Sequence, residues 1–315
     1  MAHDHVGHGS GGHAGRHGHA HDETGRAFAI GVGLNATFVI VEVVAGIVGN
    51  SVALVADAAH NLSDVLGLVL AWVAAHLARR KPSVRRTYGL RRSTILASLA
   101  NALLLLVGVG GVSWEAIERL HSPAAPQGWI MLVVAAIGVA INGGSALLFL
   151  RARKEDANVR GAFLHLVADA AVSVGVVLAG VIILATGWTW VDGVVSLVVS
   201  AVILVGAWSL LRDALNLALD GVPSSIDPEA VRSYLMKLPH VLGVHDLHIW
   251  ALSTTETALT GHLVVDVKRC DPSFLRRVSH ELEESFAIHH STIQLDPPDA
   301  PACVCAADPP ARKAS

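Results

Sequence analysis

Six long apolar stretches occupy most of the first two thirds of the chain. They lie at about 27–49, 52–78, 93–115, 128–150, 161–186 and 190–211. Each has roughly the 20 residues that an α-helix needs to cross a hydrocarbon core about 30 Å thick. Glycine recurs within them, and small residues let membrane helices approach closely. The pattern predicts a transmembrane domain of six helices over residues 26–212.

The pattern changes from Asp213 onward, where charged residues interrupt the apolar runs. Asp227 and Pro228 suit the N-cap and first turn of a helix that we expect to end near residue 238. Alternation predicts strands at 244–252 and 259–267, an amphipathic helix at 272–286 and a short strand at 291–295. We therefore expect residues 213–296 to form a small α+β domain with helices on one side of an antiparallel sheet. The Pro/Ala-rich residues 297–315 are predicted to be disordered.

Composition agrees with a membrane protein that carries a polar domain. The chain is 52% hydrophobic and 16% charged, with a mean hydropathy of +0.52 and a net charge of -3. No basic stripe suggests nucleic-acid binding, and no cleavable signal peptide is expected. Three cysteines, Cys270, Cys303 and Cys305, provide no disulfide framework, which favours a cytosolic location for that part.

The charges of the loops predict the orientation in the membrane. The loop between the second and third stretches, 79–92, carries seven Lys and Arg residues, and the loop between the fourth and fifth carries four. The remaining loops carry only Arg119. Because basic loops face the cytoplasm, both termini are expected there.

One short pattern, His-x-x-x-Asp, occurs twice at membrane depth. His60 and Asp64 lie in the second stretch, and His165 and Asp169 lie in the fifth. Residues four apart share a helix face, so two packed helices would offer two nitrogens and two oxygens. Asp57 lies on the same stripe as His60 and is interpreted as a side chain that supports the ligands or carries protons. An inter-helix hydrogen-bond network is the alternative reading, but ionisable groups at membrane depth favour function.

Imidazole with carboxylate, and no thiolate in the membrane part, favours Zn²⁺, while Co²⁺ and Cd²⁺ remain open. A transported ion must also be released. Because protons compete with the metal for imidazole, proton/metal exchange is the expected coupling. For the other acids in the spans, Glu42 and Asp192, we expect helix contacts, pore-lining polarity or a position at the membrane interface.

Histidines also cluster near both ends of the chain. Residues 1–25 hold seven histidines among Gly, Ala and Asp, and are predicted to be a disordered tail whose role in collecting metal is open. In the C-terminal domain, a subset of the histidines is expected to bind metal. Cys303 and Cys305 are an additional candidate pair.

The chain resembles the cation diffusion facilitators, which are zinc-exporting transporters with six membrane helices and a metallochaperone-like, ferredoxin-like cytoplasmic domain. The resemblance runs from about residue 26 to residue 296. It is carried by Ser51-Val-Ala-Leu-Val-Ala-Asp-Ala-Ala-His-Asn-Leu-Ser-Asp64, His165-Leu-Val-Ala-Asp169, Val244-His-Asp-Leu-His-Ile-Trp250 and His290-Ser-Thr-Ile-Gln294.

This resemblance implies a homodimer in the plasma (inner) membrane that exports cytosolic Zn²⁺ in exchange for protons by alternating access, with no organic cofactor. It places the transport ligands on His60, Asp64, His165 and Asp169. It places cytoplasmic metal ligands on His245, His262, His280 and Asp296. Two departures stand out: Gln294 replaces a histidine of some members, which puts a two-metal cluster in doubt, and loop 79–92 lacks the His and Asp that bind metal in some relatives.

Two other functions are alternatives. An intramembrane zinc enzyme needs an open metal position and a general base, and no His-Glu-x-x-His pattern is present. A metal sensor would bind zinc in the C-terminal domain without moving it across the membrane. A transport assay compared with a binding assay separates the sensor from the transporter.

Overall fold

The computed structural model describes residues 33, 36–122, 125–149, 157–266, 273–299 and 311–312. Its N-terminal part is helical. The helices are α1 (Ala36–Val48), α2 (Val52–Ala78), α3 (Ser93–His121), α4 (Gly128–Phe149), α5 (Ala157–Thr186) and α6 (Trp190–Ala218). Helices α2 to α6 are long and apolar enough to cross a membrane. The predicted first stretch lies partly outside the described residues, which leave α1 as a shorter apolar helix.

Helix α2 contributes to two separate apolar cores. In one, Leu54 packs with Phe38 of α1, Met131 of α4 and Val176 of α5. In the other, the opposite side of α2 packs against α3 and α6 through Val52 and Ala56. The helix that carries the first His-x-x-x-Asp pattern is therefore held on both sides.

A close contact between α4 and α5 fixes the position of the second pattern. A Cβ atom added at Gly180 of α5 would lie 2.9 Å from the carbonyl oxygen of Gly128 in α4. Such a separation is shorter than carbon and oxygen atoms tolerate, so glycine permits the approach. Small residues at helix contacts serve this purpose in membrane proteins.

The buried carboxylate of Asp192, at the start of α6, holds the N-terminus of α2. It accepts hydrogen bonds from the Ser51 hydroxyl at 2.6 Å, the Val52 amide at 2.8 Å and the Ala53 amide at 3.2 Å. The first amides of a helix have no partner within the helix, and a negative charge there is favourable. Of the three roles expected for Asp192, the structure shows helix contacts.

The C-terminal part contains two helices and four strands. They are α7 (Pro228–Lys237), β1 (Val241–Ala251), β2 (Thr257–Val265), α8 (Phe274–Phe286), β3 (Ile288–Asp296) and β4 (Ala311–Arg312). The strands form one sheet in the order β3-β2-β1-β4. Val231 and Leu235 of α7 and Val278 and Leu282 of α8 join one apolar core with Leu259 and other residues of the sheet. The expected α+β class is confirmed.

Two details of the expected sheet are wrong. Strands β1 and β2 are antiparallel, but β3 pairs with β2 in parallel. Helix α8 lies between β2 and β3 in the chain, and a helical crossover of this kind returns the chain to the same end of the sheet. In addition, Ala311–Arg312 lies within the stretch predicted to be disordered, yet it pairs with Gly243 and Val244 as β4. The outer edge of β1 offers free backbone groups that this segment satisfies.

The turn between β1 and β2 meets the α2–α3 connection. Arg91 forms an ion pair with Glu256, and the Thr254 amide donates to the Thr94 hydroxyl at 3.0 Å. Arg92 forms an ion pair with Asp220, just beyond α6. The C-terminal domain therefore lies at the α2–α3 loop end of the helices.

Candidate metal centre

The two His-x-x-x-Asp patterns meet between α2 and α5. One ligand atom from each of His60, Asp64, His165 and Asp169 lies within 4.8 Å of all the others. His60 Nε2 is 3.3 Å from Asp169 Oδ1 and 3.8 Å from Asp64 Oδ2. His165 Nε2 is 3.2 Å from Asp64 Oδ2 and 3.5 Å from Asp169 Oδ2. Each histidine thus contacts the aspartate of its own helix and that of the other helix.

These separations fit a tetrahedral Zn²⁺ ion. Ligand bonds of about 2.0–2.1 Å at tetrahedral angles place neighbouring ligand atoms about 3.3 Å apart. The four nitrogen–oxygen distances run from 3.2 to 3.8 Å. The nitrogen–oxygen distances are therefore close to those of a shell of two nitrogens and two oxygens, with Asp169 contacting the two histidines through its two different oxygens.

The centre is closed on one side and open on the other. The Asp169 side chain is only 7% exposed, whereas the His165 side chain is 50% exposed within the described residues. A centre through which an ion passes needs such an access side, unlike a structural zinc site enclosed by its ligands.

Two buried acids adjoin this centre on the α1 side of α2. The carboxyl group of Asp57 accepts a hydrogen bond from the Ser173 hydroxyl of α5 at 3.1 Å. That of Glu42 in α1 accepts one from the Asn61 amide at 2.8 Å, which agrees with the helix contact expected for it. Both acids are fully buried. The spacing of Asp57 and His60 on α2 indicated that Asp57 lies beside the ligands. Its hydrogen-bond partner Ser173 is on α5, so only the packing of α5 on α2 shows this contact.

A second cluster lies on the sheet of the C-terminal domain. His245 of β1 and His262 of β2 are direct cross-strand partners. Asp296 Oδ2 lies 3.1 Å from His245 Nε2 and 2.9 Å from His262 Nδ1. The two imidazole rings are 4.9 Å apart between centroids. Two nitrogens and one oxygen therefore converge at one point, as three ligands of a metal would.

Asp296 is suited to stay ionised in this cluster. Burial alone would raise the pKa of its carboxyl group. Hydrogen bonds from Gln294 and His262, together with the charges of His262 and His245, outweigh burial and lower the pKa below its ordinary value. The lowered pKa keeps Asp296 in the ionised form that a metal ligand requires, whereas His262 and His245 bind metal only after they lose the protons whose charge contributes to the shift.

His280 is the predicted ligand that the structure does not bring to this cluster. It lies on α8, exposed, with its Nε2 3.4 Å from Glu284 one turn away. The side of α8 that packs on the sheet presents Val278 and Leu282, so the intervening position 280 faces outward. The resemblance implied four cytoplasmic ligands, and three of them, His245, His262 and Asp296, lie together in the structure.

Asp246 is the neighbour that the sequence reasoning missed. It lies 3.8 Å from His262 and 3.1 Å from His248. The register of β1 and β2 shifts between His245 and His248, and Asp246 has a positive φ of 51°. This bulge turns the carboxylate toward the cluster. The run His245-Asp-Leu-His248 could have indicated Asp246 as a ligand candidate. In a regular strand, however, residues 245 and 246 point to opposite faces of the sheet, so the sequence alone separates Asp246 from His245.

Gln294, by contrast, donates its amide to Asp296 at 2.9 Å. It therefore supports a ligand of the cluster from the position where some relatives have histidine. The His-rich residues 1–25 and the cysteines Cys270, Cys303 and Cys305 lie outside the described residues.

Comparison with known proteins decides the family. Residues 28–217 match the cation efflux transmembrane domain, and residues 223–298 match the cytoplasmic domain of cation efflux proteins. The chain belongs to the cation efflux family, the cation diffusion facilitators. It is therefore a membrane transporter of metal cations rather than an enzyme, with a cytoplasmic C-terminal domain.

Relatives match this family member over nearly its whole length. The metal cation efflux system protein CzcD of Cupriavidus metallidurans is 38% identical over 89% of this chain and 90% of its own. The zinc transporter ZitB of Escherichia coli is 37% identical over 89% and 92%. A cadmium, cobalt and zinc/H(+)-K(+) antiporter of Bacillus subtilis is 33% identical over 82% and 85%. A solved structure, the metal-bound C-terminal domain of the CzcD transporter, is 36% identical over 22% of this chain and 99% of its own, with a TM-score of 0.21.

Proposed function

We propose that this protein exports Zn²⁺ from the cytoplasm in exchange for protons, and that His60, Asp64, His165 and Asp169 hold the ion during transport. The centre between α2 and α5, where ligand atoms of four residues lie within 4.8 Å of one another, is the observation that carries the proposal. The relatives support it, because their names include a zinc transporter and a zinc/H(+)-K(+) antiporter. Co²⁺ and Cd²⁺ are further candidate substrates.

Each step of the cycle uses these side chains. With the centre open toward the cytoplasm, two carboxylates neutralise the charge of the ion and two imidazoles complete its shell. Opening toward the other side exposes the same groups to protons, which compete with the metal for the imidazole nitrogens. The protonated centre then returns to the cytoplasmic side. Asp57 and Glu42, buried beside the ligands, either orient them or carry protons.

The proposal includes a homodimer in the plasma membrane with both termini in the cytoplasm. The contact of the C-terminal domain with the basic α2–α3 loop supports this orientation, because it places the domain and that loop on one side. The cytoplasmic cluster of His245, His262 and Asp296 is proposed as a regulatory metal site.

Removal of one transport ligand tests the proposal. We expect Asp169→Ala and His60→Ala each to abolish Zn²⁺-driven proton flux in proteoliposomes, because either leaves an incomplete shell around the ion. His76→Ala is a matched control on α2, outside the centre, and should transport at the wild-type rate. Full transport by Asp169→Ala in a folded protein would contradict the proposal. Parallel measurements with Co²⁺, Cd²⁺ and Mn²⁺ define the selectivity.

A further inference from the structure

A cavity of about 870 Å³ lies between α2 and α3 at their loop end, and its inner end at Gly67 is about one helical turn from Asp64 of the metal centre. Its mouth is formed by residues 79–82 of the α2–α3 loop and by the turn 253–256 of the C-terminal domain. It reaches back along α2 to Gly67 and along α3 to Asn101. From Arg79 to Gly67 the helix rises about 18 Å, at about 1.5 Å per residue. The cavity therefore extends from the membrane surface well into the hydrocarbon region.

In the deep part of the cavity, the side formed by α2 carries only small residues. The residues of α2 that line it are Gly67, Ala71, Ala75 and Ala78. They follow one another at helical spacing on one face, and Ala71 and Ala75 are exposed. Because no large side chain fills this face, a channel runs alongside α2, with small side chains on the α2 wall and Thr94, Ala97, Ser98 and Asn101 on the α3 wall. A Cβ atom at Gly67 would lie 2.8 Å from the Asn101 amide nitrogen, so the channel ends where α2 and α3 touch.

The mouth carries cations without partners. Arg79, Arg80 and Lys81 line it and are exposed. Within the described residues, none of their side chains has an ion pair or hydrogen bond, whereas neighbouring Arg91 is paired with Glu256. Three unpaired positive charges at the rim, above a channel whose α2 wall is apolar, favour an anion that carries an apolar chain.

We propose that this cavity binds an anionic phospholipid, with its phosphate between Arg79, Arg80 and Lys81 and an acyl chain along the small-residue face of α2. Basic pockets between membrane helices on the cytoplasmic side are suited to anionic headgroups. The inference is independent of the ion that the protein carries.

Two other uses of the cavity fit the observations less well. A path for Zn²⁺ would not be rimmed by unpaired cations, and none of the four candidate transport ligands lines the cavity. A second copy of the chain would have to place an acidic patch opposite the three cations, because in a two-fold interface a patch away from the axis meets a different patch of the partner. A phosphate group would form ion pairs with the three cations at the rim.

Lipid binding to the full-length protein in neutral detergent tests the proposal, with native mass spectrometry counting bound phosphatidylglycerol and phosphatidylcholine. We expect phosphatidylglycerol to bind preferentially. Arg79→Gln with Arg80→Gln should weaken it by about thirty-fold, from the loss of two charges near the surface. Arg85→Gln with Arg86→Gln is a matched control, because it removes two cations of the same loop that do not line the cavity. Equal weakening by both pairs would show a diffuse charge effect and overturn the proposal.

A second variant separates lipid from free phosphate. Ala71→Phe fills the channel and leaves every charge in place, so it should reduce phosphatidylglycerol binding as strongly as the loss of the two arginines. Should this variant not fold, Ala75→Val offers a smaller obstruction of the same face. Unchanged lipid binding in the folded variant, or complete displacement of the lipid by millimolar inorganic phosphate, would point to a free-phosphate site instead. Cross-linking across the cavity between two copies, with no bound lipid, would also overturn the proposal.

Discussion

At the scale of single residues, the same chemical groups give different outcomes according to their surroundings. Asp169 is held between two imidazoles, Asp192 caps a helix, and Asp296 joins two strands to one cluster. His262 and His280 differ in the same way, since one converges with Asp296 and the other lies on an exposed helix face. Residue type alone therefore indicates which groups are available, and position decides their use.

The cytoplasmic cluster leads to a prediction about metal binding. His245→Ala and His262→Ala should each weaken Zn²⁺ binding by the C-terminal site by at least about ten-fold, because each removes one of three converging ligands. His280→Ala should have less than about a two-fold effect, because His280 lies outside the cluster in the structure. Isothermal titration calorimetry of full-length protein in which Asp169→Ala removes the transport site measures this. Equal losses in all three variants would restore His280 to the ligand set.

At the scale of elements, packing and capping contacts between helices hold the two patterns near each other. Helix α2 is packed on both sides by apolar cores and capped by a residue of α6. Helix α5 approaches α4 closely at Gly180. The two helices that carry the patterns are each held by a neighbouring helix, and the four ligands lie close together between them.

Loss of the α2 cap should lower stability without changing the metal chemistry. Asp192→Ala removes an acceptor for two α2 amides and the Ser51 hydroxyl, and should destabilise the protein by about 2–4 kcal/mol. Asp213→Ala is a matched control at an exposed site on the same helix. Thermal unfolding in detergent measures the difference. A melting temperature of Asp192→Ala equal to that of Asp213→Ala would show that the cap contributes nothing.

At the scale of the whole molecule, the C-terminal domain is joined to the membrane helices through one end of a hairpin. The β1–β2 turn contacts α3 at Thr94 and Arg91, and the strands of the same hairpin carry His245 and His262. A metal on the cytoplasmic cluster would therefore bind to an element that touches the transport domain directly.

The His-rich N-terminal tract can be removed to test whether transport depends on it. Deletion of residues 2–22 should leave the maximal rate of Zn²⁺ transport unchanged, because the candidate transport ligands all lie in α2 and α5. At most, the deletion should raise the zinc concentration needed, if the tract collects metal. Initial rates in proteoliposomes over a zinc series measure both quantities. Complete loss of transport on deletion would contradict this expectation.

The sequence by itself determined the features that depend on local spacing. Long apolar runs fixed the membrane helices, and a four-residue period placed His60 beside Asp64 and His165 beside Asp169, because both are properties of a single helix. The tertiary structure alone decided which distant elements meet. It showed that Asp192 caps a helix about 140 residues earlier, that β3 runs parallel to β2, and that His280 faces away from its expected partners. These outcomes depend on packing between segments far apart in the chain, and local periodicity carries no information about such contacts.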